Sequence, residues 1–417
     1  MCQLPPESAV YANGLFRGLY NGIGQLLPGG LCWLDYFIAG FVIVFLLVNA
    51  LLIGTALFVW AERRLIGRFQ VRLGPNRWGP FGLGQPFADL FKFVLKEDVV
   101  PTVADRVLFT LAPVMMVAPL LLMLAVIPFG RGSFLADLNV GVLYLFALAG
   151  VTTMGILVAG WASGNKYATL GAMRGVAQLV SYEVPVITSL LGVVLMATIM
   201  PPPGAQEVPL SLVWLVEHQR LPFLLLQPLA CFILVVGLSA EMNRSPFDIV
   251  EAESELVAGY HTEYGGVRFA LIQLAEFAAP LVWSAVLATV FLQGYRWPVL
   301  PSHLWFLLKT LGFVFLFIWL RATLPRLRVD QIMGFAWKFL LPLALVNLVV
   351  TAVEVRLVPQ PTTAQLWLLV GVNWAVAVVA LVGWAALLQV RRPLRPTLRV
   401  RPAAGTANGA AAAAREV

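Results

Sequence analysis

The sequence predicts an all-α integral membrane protein of about nine transmembrane helices, and three observations lead there. Hydrophobic residues fill 60% of the 417 positions and charged residues only 12%, against about 25% charged in an ordinary soluble domain; the mean hydropathy is +0.86. The apolar residues gather into runs of about 20, long enough for a helix to cross roughly 30 Å of hydrocarbon with its backbone internally bonded. Basic residues alternate between dense and sparse in successive connections, the pattern of the positive-inside rule.

Nine runs cover approximately 37–60, 108–129, 139–161, 176–200, 222–240, 267–292, 304–320, 338–353 and 365–390. If the first ends on the cytoplasmic side, 22 of the 28 Lys and Arg residues fall in the five cytoplasmic segments. The N-terminus is then outside and the C-terminus cytoplasmic, with amphipathic interfacial helices on the cytoplasmic side. Residues 1–36 form an N-terminal extension with Gly and Pro breaks. No basic start precedes an apolar stretch there, so a short amphipathic helix on the outer face is expected rather than a signal peptide. Residues 37–390 form the polytopic domain. The tail 391–417 alternates Arg with Pro and then turns to Ala and Gly, the composition of a disordered basic extension near anionic lipid.

Several function classes drop out. Cys2, Cys32 and Cys231 have no C-x-x-C spacing, and His218, His261 and His303 are scattered, so no iron–sulfur cluster, structural zinc or disulfide framework follows. These read as isolated apolar thiols and as surface or interface imidazoles. Neither a G-x-G-x-x-G nor a Walker motif occurs. The net charge of +7 is accounted for by the loops and does not require nucleic acid.

The first cytoplasmic loop, 62–106, carries a basic cluster at Arg63, Arg64, Arg68 and Arg72, then a Gly/Pro-punctuated turn region from Gly74 to Pro80. From Pro86, the apolar Phe87, Leu90, Phe91 and Val94 recur at helical spacing with Asp89, Lys92 and Lys96 offset. That pattern describes a helix lying in the interface. A basic loop touching lipid headgroups fits the same residues, and Asp89 with Lys92 also fits a plain surface ion pair.

The most acidic stretch, 241–266, sets six carboxylates, Glu241, Asp248, Glu251, Glu253, Glu255 and Glu263, between two apolar runs. Charge at a membrane boundary is costly and points to function. Ser245-Pro246-Phe247-Asp248 has the order of a helix start, with a cap, a Pro at the first position and an acid at the third. On that helix Asp248, Glu251 and Glu255 share a face and Glu253 points away. Three carboxylates on one face titrate as a coupled set with some pKa values raised; a solvated acidic face is the plainer alternative. Glu183 and Glu276 lie inside the fourth and sixth runs, where a carboxylate must be protonated, paired or wetted. An interhelical hydrogen bond is the other reading of each. Arg321, Arg326 and Arg328 lie across the same membrane face as the acids, placed either to pair with them or to anchor the chain.

Five blocks together resemble a family of respiratory complex I, the NADH:quinone oxidoreductase: its H subunit, the membrane component that closes the quinone chamber. They are Glu62-Arg63-Arg64 with Gln70-x-Arg72-x-Gly74-Pro75-Asn76-Arg77-x-Gly79-Pro80; Gln85-Pro86-x-Ala88-Asp89-x-x-Lys92; Ser181-Tyr182-Glu183; Glu241-x-Asn243-Arg244-x-Pro246-Phe247-Asp248 through Glu263-Tyr264; and Arg321-Ala322-Thr323-x-Pro325-Arg326 with Asp330-Gln331. The resemblance covers about 37–353 and implies a multi-pass component of the cell inner membrane. It places Arg63, Arg72 and Asp89 near the quinone path and Phe87, Leu90 and Phe91 beside the isoprenoid tail. It also implies a proton-coupling route through Glu183, Glu241, Asp248, Glu251, Glu253, Glu255, Glu263 and Glu276, supported by Arg244, Arg321 and Arg326. This chain would hold no cofactor or metal itself. Quinone is the substrate at its interface, and flavin, iron–sulfur clusters and NADH belong to partner subunits. The expected partners are the other membrane subunits and the quinone-site subunits of the hydrophilic arm. A membrane component of an energy-converting hydrogenase and a stand-alone ion-coupled transporter are the rival readings; the inverted repeat common in transporters is not found.

Overall fold

A computed structural model describes residues 14–26, 32–201, 210–250 and 257–390. They are helical with turns and carry no strand. Helix α1, Gly14–Leu26, precedes α2, Cys32–Phe69. The 38 residues of α2 extend for about 57 Å, well beyond a bilayer core. Its last turns therefore carry Glu62, Arg63, Arg64 and Arg68 out of the apolar layer on a rigid rod, where a loop was expected. The short α3, Gln85–Leu95, follows, then α4, Arg106–Met123, α5, Gly141–Ala162, and α6, Lys166–Ala197. Asn165 caps α6 by accepting from the Tyr167 N–H at 2.9 Å, so the helix begins ten residues before the expected apolar run.

The fifth crossing departs from the single run expected at 222–240. The connection before it holds α7, Leu212–His218, and the crossing itself is divided into α8, Phe223–Leu226, and α9, Pro228–Glu241. Pro228 has no N–H with which to continue α8. The backbone break is covered by protein: Gln227 is buried, donates to Thr351 Oγ1 at 2.8 Å and accepts from Asn347 Nδ2 at 3.0 Å, which is how an interruption at membrane depth is tolerated. Then come α10, Gly266–Phe291, and α11, Ser302–Thr323. The last pair is α12, Val329–Phe335, joined through a π-turn to α13, Leu341–Leu357, and α14, Thr363–Val390. Eight described helices are long and apolar enough to cross a membrane, and α9 is a shorter apolar ninth.

The main core lies among α4, α5, α6, α9 and α10, where Phe109, Met123, Leu145, Ile156, Leu234 and Phe291 are buried. Small residues set the spacing. A Cβ on Gly237 of α9 would come within 2.1 Å of Val186 on α6. A second cluster joins Tyr182, Phe247, Ile332 and Leu343, and the Tyr182 hydroxyl donates to the Ile332 carbonyl at 3.0 Å. Helix α1 packs Phe16 and Tyr20 on Ala39 of α2, and the Gly14 N–H bonds the Gly132 carbonyl at 2.8 Å. That places α1 at the end of the bundle holding 124–140, away from the acidic connection.

Candidate functional site

Glu62, near the end of α2, is the centre of a buried ion cluster. Its Oε1 accepts from Arg244 Nη1 at 2.9 Å and from Arg321 Nη1. The side chains of Glu62 and Arg244 are only 4% and 5% exposed, so neither charge is left to water. Arg244 also lies 4.7 Å from the Phe277 ring centroid and donates to the Glu276 carbonyl at 3.4 Å. Asp248 stands in the field of Arg326, Arg321 and Arg244. Burial pushes its carboxyl above the ordinary range; Arg326 opposes this most, and Glu276 adds to it. The Leu327 N–H bonds the Pro246 carbonyl at 3.1 Å, tying the arginine-bearing connection to the acidic one.

Behind this cluster, Glu241 and Glu276 line one cavity of about 40 Å³, room for one or two waters. Asn243, Thr152, Thr153 and Tyr260 are also in its wall. Glu183 lies within electrostatic reach of Glu241, its Oε1 held over Gly150 of α5, 3.9 Å from where a Cβ there would stand. Glu263 stands at the start of α6, accepting from Nδ2 of its cap residue Asn165 at 2.7 Å. Next to it Tyr264 stacks on Phe109, with ring centroids 4.0 Å apart.

The first connection builds a separate wall. A Cβ on Gly82, whose φ is +77°, would fall 2.2 Å from the Pro75 carbonyl oxygen, so only glycine allows the chain to fold back there. This turns the Phe81 carbonyl onto α2, where Trp60 Nε1 donates to it at 3.0 Å and Arg64 Nη1 at 2.9 Å. Arg63 Nη1 then meets Asp89 Oδ2 at 2.7 Å, with Lys92 Nζ 4.0 Å from the other oxygen. The closer partner of Asp89 is thus across the turn, on α2. Phe87, Leu90 and Phe91 are 48%, 53% and 62% exposed; none of α3 is buried. Arg72 does not join Arg63 and Asp89, its Nε donating to Gln70 Oε1 at 2.6 Å.

Of the expected site residues, Glu241, Asp248, Glu276, Glu183 and the arginines 244, 321 and 326 come together. Glu251, Glu253 and Glu255 lie outside the described residues. No helix begins at Ser245: Asn243 has φ +51° and 242–250 forms turns, so Asp248 reaches the cluster from a loop and not from a helical face. Glu62 was missed as a site residue because a charge at a span's end reads as a boundary marker. The available signal was its place in the Glu62-Arg63-Arg64 block; in the structure it lies four residues after the buried Phe58, on the same helix face. His261 is not a surface imidazole. It is buried, and burial holds it below its ordinary value, with Glu276 acting in the opposite sense. No group of three metal-ligating side chains occurs among the described residues.

A family model described as NADH dehydrogenase matches residues 41–352, which include every site residue above. The H subunit of NADH-quinone oxidoreductase from Dehalococcoides mccartyi (strain CBDB1) is 50% identical over 342 residues, covering 82% of this chain and 93% of the relative. Those of Brevibacillus brevis and Geobacillus kaustophilus are 45% identical over 322 residues (76% of this chain, 93% of the relative) and 48% identical over 302 (71% and 87%).

Proposed function

The chain belongs to the family of H subunits of NADH-quinone oxidoreductase, membrane components of respiratory complex I, and on that premise we propose how its own residues serve quinone reduction and proton translocation. It is a multi-pass component of an enzyme complex, works with the other subunits and is not catalytic alone; the hydrogenase and transporter readings are not favoured. The exposed face of α3, with Phe87, Leu90 and Phe91, lines the tunnel for the isoprenoid tail, and the Arg63–Asp89 pair stands at the quinone path. Flavin, iron–sulfur clusters and NADH are on partner subunits. The protein resides in the cell inner membrane with its N-terminus outside and the acidic connection facing the cytoplasm and the hydrophilic arm.

The observation carrying this reading is a polar track leading from the acidic connection into the apolar bundle. Glu62 holds Arg244 and Arg321; these face Asp248; Glu276 and Glu241 share a cavity; and Glu183 follows deeper. Reduction of quinone calls for protons beside the cluster. A carboxylate that gives one up changes the field on its neighbours, and the change passes inward from one acid to the next. Intramembrane ionisable groups of this kind mark proton routes. The test is Glu276→Gln in the complex reconstituted into vesicles: quinol formation should continue while the pH gradient per quinol falls. An unchanged gradient removes Glu276 from the route.

A further inference from the structure

At the end of the bundle away from the acids, the connections 124–140, 212–222 and 292–302 enclose an open cleft of about 980 Å³. Arg131, Arg220 and Arg296 line it, together with Glu217, Tyr295 and Trp297. A protein obeying the positive-inside rule keeps few cations at this end, yet three separate connections each send an arginine to one place. None of the three pairs with a carboxylate among the described residues. Glu217 is engaged by the Tyr295 hydroxyl, 3.3 Å from its Oε1, and one glutamate against three arginines leaves the cleft cationic. Two of the guanidinium heads are held in place by backbone. Arg296 Nη1 donates to the carbonyls of Glu217 and Gln219 at 2.7 and 3.1 Å, and Arg220 Nη1 donates to that of Pro361 at 3.2 Å.

The surroundings set its depth. Trp297 and Trp305 form an edge-to-face pair 5.1 Å apart, as aromatic residues do at the headgroup level. Lys309, two turns inside α11, turns its ammonium back to the carbonyls of Leu292, Gly294 and Arg296 at 2.7–3.1 Å, the snorkelling of a cation at the edge of hydrocarbon. Ser302 joins the cleft to α11, whose Leu304, Leu307, Leu308 and Leu311 are all more than half exposed, a surface suited to acyl chains.

We propose that this cleft binds the phosphate headgroup of an anionic phospholipid from the leaflet at this end of the bundle, with its chains laid along α11. Planar guanidinium forks match phosphate oxygens. The proposal is independent of the quinone reading, which concerns the opposite end. The test uses the purified complex in phosphatidylcholine nanodiscs carrying phosphatidylglycerol with a photoreactive acyl chain. Adducts on peptides of 296–312 should exceed those from equally photoreactive phosphatidylcholine several-fold. Arg131→Gln, which breaks no described side-chain bond, should lower them about fivefold; Arg131→Lys, which keeps the charge and loses the fork, should lower them less. Equal labelling by the two lipids overturns the proposal. So does loss of labelling on adding inorganic phosphate, which marks a free-anion site. Absence of adducts in the complex, with a photo-crosslinker replacing Trp297 capturing a neighbouring subunit, overturns it in favour of a protein partner.

Discussion

Glu62→Gln removes the carboxylate that Arg244 and Arg321 both bond and leaves the shape of the side chain nearly intact. Both guanidinium groups donate to the same Oε1, so the variant leaves two cations facing each other across a neutral amide. Breaking a buried ion pair by removing one partner destabilises by about 3–5 kcal/mol. Arg244 is 5% exposed and Arg321 30% exposed, so water can reach one of the two stranded cations and the lower end, about 3 kcal/mol, applies. That shift exceeds a hundredfold in a local folding equilibrium. The assay is thermal inactivation of the assembled complex together with its yield on native gels, measured for Glu62→Gln, Arg321→Met and the double variant. Each single variant should lose stability. The double variant should recover part of the loss, because Arg244 then has one fewer cation against it, giving a coupling energy of the size expected for residues in direct contact. Wild-type stability for Glu62→Gln, or strict additivity of the two changes, would refute the ion-cluster argument.

Other consequences separate function from stability. Arg63→Gln breaks a half-exposed pair, worth under about 1 kcal/mol; the complex should assemble normally while its apparent KM for quinone rises, measured with a short-chain quinone. His261 is held below its ordinary value by burial, so the unfolded chain binds more protons below about pH 6.5 and stability falls as the pH drops through that value. Thermal inactivation at acid pH should therefore be steeper in wild type than in His261→Asn. Gly237→Ala places a methyl 2.1 Å from Val186; the overpacking should destabilise by about 1–3 kcal/mol, visible as a lower Tm of the complex.

The crossings at α2, α4, α5, α10, α11 and α14 were legible because composition alone decides whether a segment can sit in lipid. Ends were less so. Lys166 and Arg174 made the start of α6 look like a loop, yet a capped helix continues past the hydrocarbon once a neighbouring helix covers it. The break at Pro228 was hidden within an uninterrupted apolar run, and it is accommodated by Asn347 and Thr351, more than a hundred positions away. Ser245-Pro246 had the right letters for a helix start, but the turn through Asn243 carries the chain elsewhere. The acids were recognisable from their cost in a membrane. What they touch was not: Glu62 meets Arg244 across 182 positions and Arg321 across 259, and only the folded bundle brings those together.

That carboxyl groups here change protonation when quinone is reduced is open to direct observation by reduction-induced infrared difference spectroscopy of the complex. Wild type should show a protonated-carboxyl C=O band on quinone reduction, diminished in both Glu241→Gln and Glu276→Gln. Difference spectra identical to wild type in both variants would contradict the account.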